Sequence, residues 1–198
     1  MSPQSEISPV SLSTSFEYSP EERRILLQLA HRAIAAGVEN FRLDLTPPSE
    51  HLAQPRGSFT TLHLHGKLRG CIGYVIVKYS LYRTVAETAQ AAAFNDPRFP
   101  SVTAEEASEL EIQISVLSAL QPIDPEQVVI GRHGLMVSQG GRRGLLLPQV
   151  PLEWGWDRET FLAQTCLKAG LPQDAWRQGA ELQAFTAEVF SDLAVRPA

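Results

Sequence analysis

A chain of 198 residues, 43% of them hydrophobic, can bury one good core or two small subdomains. Its 17 basic and 22 acidic residues leave a net charge of −5, which argues against nucleic acid as a partner. Two distant cysteines, no apolar run near the ~20 residues of a membrane span, and no apolar h-region near the N-terminus argue against a disulfide framework, a membrane partner and a signal peptide; a cytoplasmic location is expected.

Residues 1–17 are rich in Ser, Pro and Thr and read as a flexible tail ahead of one domain over 18–198. Ser19-Pro20-Glu21-Glu22 is a capping box with proline at the first helical position. The helix it starts carries Ile25, Leu26, Leu29, Ala30, Ala33 and Ile34 as an apolar stripe, and Gly37 suits its end. After a loop with Pro47, Pro48 and Pro55, residues 59–65 and 68–77 read as strands joined near Gly66-Lys67. Ser80 caps a second helix, apolar at Leu81, Val85, Ala89 and Ala92, which stops before Asp96-Pro97. Leu110, Ile112, Ile114 and Val116 alternate with Glu111, Gln113 and Ser115 in a half-buried strand. Gly140-Gly141 turns a hairpin between residues 135–137 and 144–147. Asp157 caps a helix carrying Phe161, Leu162, Thr165 and Cys166, closed by Gly170-Leu171-Pro172. A last strand or helix covers residues 182–193. The pattern gives an α+β fold: a mainly antiparallel sheet flanked by helices, with room for a smaller second subdomain.

The chemistry concentrates in Leu68-Arg69-Gly70-Cys71-Ile72-Gly73. In an extended run Arg69 and Cys71 share a face, and a permanent cation beside a thiol favours the reactive thiolate. Gly70 and Gly73 leave the backbone open to a ligand or another strand. Register decides whether this reading stands. A two-residue turn at Gly66-Lys67 sets Leu62 opposite Cys71 and makes the thiol a core group, whereas a three-residue turn reverses the parity. Arg69 needs an anionic partner, either a substrate or one of Asp96, Glu111 and Glu153. Asp96-Pro97-Arg98 offers an acid and a base in a rigid loop, read either as a site wall or as a helix stop with a surface ion pair. Gln149 and Glu153 flank Pro151, where a carboxylate has the chemistry of a general base. Cys166 lies on an apolar helix stripe and reads as core, and Lys168 suits the helix C-terminus. His63 and His65 share a strand face but have no third ligand at convincing spacing, so no metal and no cofactor are expected. Phosphate loops, dinucleotide fingerprints and metalloprotease motifs are missing from the sequence.

The same six residues resemble the signature of the AMME chromosomal region gene 1 family, whose prokaryotic members are called AmmeMemoRadiSam system protein A. Further blocks follow in that family's order. They are Gly57-Ser58-Phe59-Thr60-Thr61-Leu62, Asp96-Pro97-Arg98-Phe99, Glu109-Leu110 leading into Ile114-Ser115-Val116-Leu117, and Gly131 through Leu135. Leu146-Leu147-Pro148-Gln149-Val150, Glu153, Trp156, Phe161-Leu162 and Cys166-Leu167-Lys168-Ala169-Gly170-Leu171 complete the set. The resemblance implies an uncharacterised protein working with a Memo-like protein and a radical S-adenosylmethionine protein. With two cysteines this chain cannot hold the three-cysteine cluster of a radical enzyme, so that chemistry belongs to a partner.

Two functions are expected to compete. In one, the chain is an enzyme component in which Cys71 and Arg69 form a small-molecule or modification site, with Gly70, Gly73, Asp96, Arg98, Gln149 and Glu153 as binding candidates. In the other, it is a non-catalytic adaptor whose Arg-Gly-Cys-Ile-Gly surface docks partners. Residues 68–73 are expected at the rim of a concave pocket also lined by Asp96 or Arg98.

Overall fold

Ser19 starts the first helix as the sequence requires. Its hydroxyl accepts from the Glu22 amide, the Glu22 carboxylate accepts from the Ser19 amide, and α1 runs Pro20–Glu39. The computed structural model describes residues 17–192, so the expected N-terminal tail lies almost entirely outside the described residues. Gly37 does not end α1. The helix continues past it to Asn40, which supplies the left-handed cap at φ 57°, and Gly37 instead makes room for the Phe94 ring. Leu26, Leu29, Ala30, Ala33 and Ile34 are buried along the inner stripe.

Among the described residues the chain forms two antiparallel sheets, each backed by helices. The first has the order β2 (Lys67–Tyr74), β1 (Ser58–Leu64), β3 (Glu111–Leu117), β8 (Ala187–Ser191). Helix α3 (Leu81–Phe94) packs on β1 and β2, and α1 packs on α3 and β3. Short helices α2 (Glu50–Ala53) and α4 (Ala104–Ala107) flank this unit. The second sheet has the order β4 (Gln121–Pro122), β7 (Glu181–Phe185), β5 (Gly134–Gln139), β6 (Arg142–Leu146). Helix α6 (Arg158–Lys168) packs on β5 and β6, after the short α5 (Val150–Glu153). The second sheet is thus an insertion between β3 and β8, which are neighbours in space. The chain leaves the first sheet at Ser118 and returns at Thr186. The Ser118 amide donates to the Thr186 carbonyl at 2.9 Å, and the Thr186 amide donates to the Ser118 hydroxyl at 3.0 Å. This junction breaks the last expected element into two strands belonging to different sheets.

The local signals of the second unit are realised closely. Gly140-Gly141 turns the β5–β6 hairpin with both residues at positive φ. At the end of α6, the Leu171 amide bonds the Cys166 carbonyl and the Gly170 amide bonds the Leu167 carbonyl, with Gly170 at φ 70°. Cys166 is fully buried, and burial pushes its thiol up from the ordinary range. Lys168 sits exposed in the last turn of α6.

Candidate functional site

Alternation along two strands builds the site. In β1, Ser58, Thr60 and Leu62 are buried and Phe59, Thr61 and His63 are half-buried; in β3, Ile112, Ile114 and Val116 are buried and Glu111, Gln113 and Ser115 are half-buried. The buried set faces the helices, since Thr60 Oγ1 lies 2.8 Å from Thr88 Oγ1 of α3. The helices that pack on this sheet, α1 and α3, therefore lie on the Thr60 side. The opposite side presents a thiol, hydroxyls, an amide, an imidazole and a carboxylate on one surface.

The hairpin turn falls at His65-Gly66, one residue earlier than expected, with φ of 51° and 73°. Leu64 pairs with Lys67, and a bulge follows in which Arg69 is the extra residue between Leu68, opposite His63, and Gly70, opposite Leu62. The turn and the bulge together set Thr61 opposite Cys71, where the expected turn would have set Leu62. Cys71 therefore joins the open face and is half-buried, and the Thr61 hydroxyl donates to its Sγ at 3.2 Å.

The bulge also separates Arg69 from Cys71. Arg69 is buried with Gly70 and forms a fork on Glu106, Nε to Oε1 at 3.0 Å and Nη2 to Oε2 at 2.8 Å. Nη1 and Nη2 also donate to the carbonyls of Pro100 and Ser101 at 2.8 and 3.2 Å. The hydrogen bond from Arg69 holds the Glu106 carboxyl below its ordinary range. None of the expected partners, Asp96, Glu111 or Glu153, is the anion Arg69 uses. An alternating strand would have given Arg69 and Cys71 one face; the extra residue sends the guanidinium to the segment after α3. Arg69→Gln is therefore expected to lower stability by about 2 kcal/mol, since it strips a partly buried carboxylate and two carbonyls of charged donors. Urea unfolding checks this, and the alkylation rate of Cys71 is expected to change little.

Asp96 and Arg98 hold the outer edge of β2. The Cys71 amide donates to Asp96 Oδ2 at 2.9 Å, and Arg98 Nη2 donates to the Cys71 carbonyl at 3.3 Å. This pair caps both backbone groups that an edge residue leaves unpaired. Asp96 is itself held by Arg98, which donates from Nε at 2.9 Å, Nη2 at 2.7 Å and the backbone amide at 3.1 Å. The Arg98 hydrogen bonds, with the Cys71 amide, hold the buried Asp96 carboxyl far below the ordinary carboxylate range. Arg98 keeps its proton chiefly through Asp96, and Cys71 contributes a smaller charge attraction. The cation beside the thiol is thus Arg98, with its side chain 55% exposed.

Gly70 and Gly73 are both places of close approach. A Cβ on Gly70 would lie 2.1 Å from the Ala92 carbonyl oxygen of α3, and one on Gly73 would lie 2.1 Å from the Phe59 ring. Gln149 and Glu153 are exposed on and beside α5, after β6 of the second sheet, and their side chains make no hydrogen bond or ion pair with Cys71, Asp96 or Arg98. His65 leaves the strand and bonds Glu109 at 2.8 Å, so it does not share a face with His63. Among the described residues there is no group of three metal-ligating side chains, and no helix is long and apolar enough to cross a membrane.

Sequence reasoning missed Thr61, Gln113 and Ser115, and read His63 only as a partner of His65. The period-2 pattern of the two strands carries all four residues onto the Cys71 face.

The fold and this face define a class of α+β protein built from two antiparallel sheets with a thiol on the open side of the first. The AMMECR1 family model matches residues 27–190, and the chain belongs to that family. A relative from Thermococcus gammatolerans is 42% identical over 192 residues, covering 89% of this chain and 93% of the relative. One from Methanopyrus kandleri is 41% identical over 184 residues, covering 87% and 89%. The crystal structure of an uncharacterized protein from Pyrococcus horikoshii aligns with a TM-score of 0.76 at 39% identity, covering 89% of this chain and 94% of that one.

Proposed function

We propose that the chain is a component of an enzyme system in which Cys71 is the working thiol of a small-molecule or modification site. The carrying observation is the clamp on its strand. Asp96 and Arg98 fix both backbone groups of Cys71, Thr61 hydrogen-bonds its sulfur, and the thiol stands on a sheet face that α1 and α3 leave uncovered. A group that must be positioned but not buried needs that combination. Arg98 takes the part that the sequence suggested for Arg69, as a cation beside the thiol and an anchor for an anionic substrate group. Gly73, with Phe59 over it, offers an apolar wall. The partners are a Memo-like protein and a radical S-adenosylmethionine protein; what supports them is family membership, and reading the genes beside this one tests them. The adaptor reading draws on the same uncovered face, with Val189 and Leu68 exposed at its borders.

Iodoacetamide separates the two readings. Native protein is expected to be alkylated at Cys71 while Cys166 stays protected until unfolding, because Cys166 is fully buried and its thiol is pushed up. Peptide mass spectrometry reads both sites. Preferential labelling of Cys166, or a native Cys71 as inert as Cys166, overturns the thiol reading and favours the adaptor.

A further inference from the structure

We infer that His63 is the base that takes the proton of Cys71, with Glu111 orienting the imidazole; this rests on Cys71 being the working thiol. Along β1, Thr61 and His63 are two residues apart and share the open face. Thr61 stands directly opposite Cys71, so His63 is its diagonal neighbour, about 7–8 Å away between backbones and within reach of an aromatic side chain. On the other side of β1, His63 pairs directly with Glu111 of β3, where Cβ atoms lie about 5 Å apart. Imidazole and carboxylate thus stand side by side across β1 and β3, with Leu68 opposite His63 on β2, and the thiol lies one diagonal step away on the same face. A nucleophilic cysteine needs that set of groups, with the base oriented by a third group.

The neighbouring histidine shows the contrast. His65 is exposed at the turn and engaged by Glu109, which accounts for it structurally. His63 is half-buried on a polar face, and among the described residues neither ring nitrogen has a hydrogen-bond partner. Such contacts often close only when substrate is bound. The step balances simply. The Sγ–H bond breaks, a ring N–H bond forms, and a thiolate–imidazolium pair results. After the thiolate attacks an electrophilic carbon, the imidazolium returns the proton to the leaving group. Glu111 accepts the other ring N–H and fixes the tautomer.

The test is the alkylation rate of Cys71 at fixed neutral pH in the full chain. His63→Gln is expected to slow it by about tenfold, below the 10²–10⁴ of a base matched to a bound substrate, because iodoacetamide is small and unpositioned. Glu111→Gln is expected to slow it less. Added imidazole is expected to restore the rate in His63→Ala, an effect that a merely structural histidine does not give. An unchanged rate in His63→Gln overturns this inference while Cys71 remains the working thiol. A loss that imidazole does not rescue and that follows a falling melting temperature also overturns it, as a packing role. A native Cys71 that fails to react overturns the thiol reading and this inference with it.

Discussion

Replacing Asp96 with alanine is expected to destabilise the protein by about 3 kcal/mol, at the lower end of the cost of breaking a buried ion pair by removing one partner. Asp96 accepts from the Cys71 amide and from three Arg98 donors while its side chain is 1% exposed. The low end applies because Arg98, 55% exposed, recovers water when it is released. The Cys71 amide does not recover so easily, since it loses the acceptor that closes the edge of β2. Asp96→Asn should be nearly as harmful, because its NH2 group turns a donor toward the donors of Arg98. The effect depends on pH with a definite sign. The folded carboxyl lies below its unfolded value of about 3.9, so ionised Asp96 contributes its full stability above that pH. That contribution is lost progressively as the pH falls below about 4 toward the folded value. The gap between wild type and Asp96→Asn should therefore narrow in acid. Urea midpoints measured across that range test this, and a gap under about 1 kcal/mol at neutral pH, or one that widens in acid, would falsify it.

The same residues show what a sequence can disclose. Elements governed by chemistry within one turn were readable: the Ser19–Glu22 box, the Gly140-Gly141 hairpin, and the Gly170-Leu171 closure of α6 all depend on groups a few residues apart. The family was legible too, because its motifs are local strings. Register was not. It turns on where the tight turn falls, with His65 at φ 51°, and on a one-residue bulge at Arg69; the turn shifts each partner by two residues and keeps the face, and the bulge moves every later side chain of β2 to the other face. Arg69 finds Glu106, 37 residues on, because α3 returns the chain to the strand it left. A list of nearby carboxylates could not rank that partner. The insertion between β3 and β8 is likewise invisible in composition. Its exit and return, Ser118 and Thr186, are 68 residues apart and joined by two hydrogen bonds. The grouping of Thr61, His63, Gln113 and Ser115 was within reach. Alternation in residues 58–64 and 111–117 gives it once the strands are known to be adjacent.

Gly70→Ala should have an effect as large as the loss of Asp96, by a different route. Its Cβ would stand 2.1 Å from the Ala92 carbonyl oxygen, which is backbone and has no rotamer to change. Restoring a normal separation of about 3.5 Å needs a shift of more than 1 Å. Helix α3 cannot easily supply it, because α3 is packed against α1 on its other side and the Phe94 ring fills the space over Gly37. The strand must yield instead. β2 is an edge strand paired only with β1, so it peels outward and takes Cys71 away from Asp96 and Thr61. Overpacking of a fixed interface costs about 1–3 kcal/mol, and the unyielding helix places this case at or above the top of that range. Gly66→Ala is the control. Gly66 has open space around it but φ of 73°, so it is expected to lose only about 1 kcal/mol through backbone conformation, with the Cys71 amide still protected. Hydrogen exchange at Cys71 separates the two variants: rapid in Gly70→Ala, slow in Gly66→Ala. Equal protection in both would show that the strand tolerates the methyl group and that the contact between β2 and α3 does not fix the thiol in place.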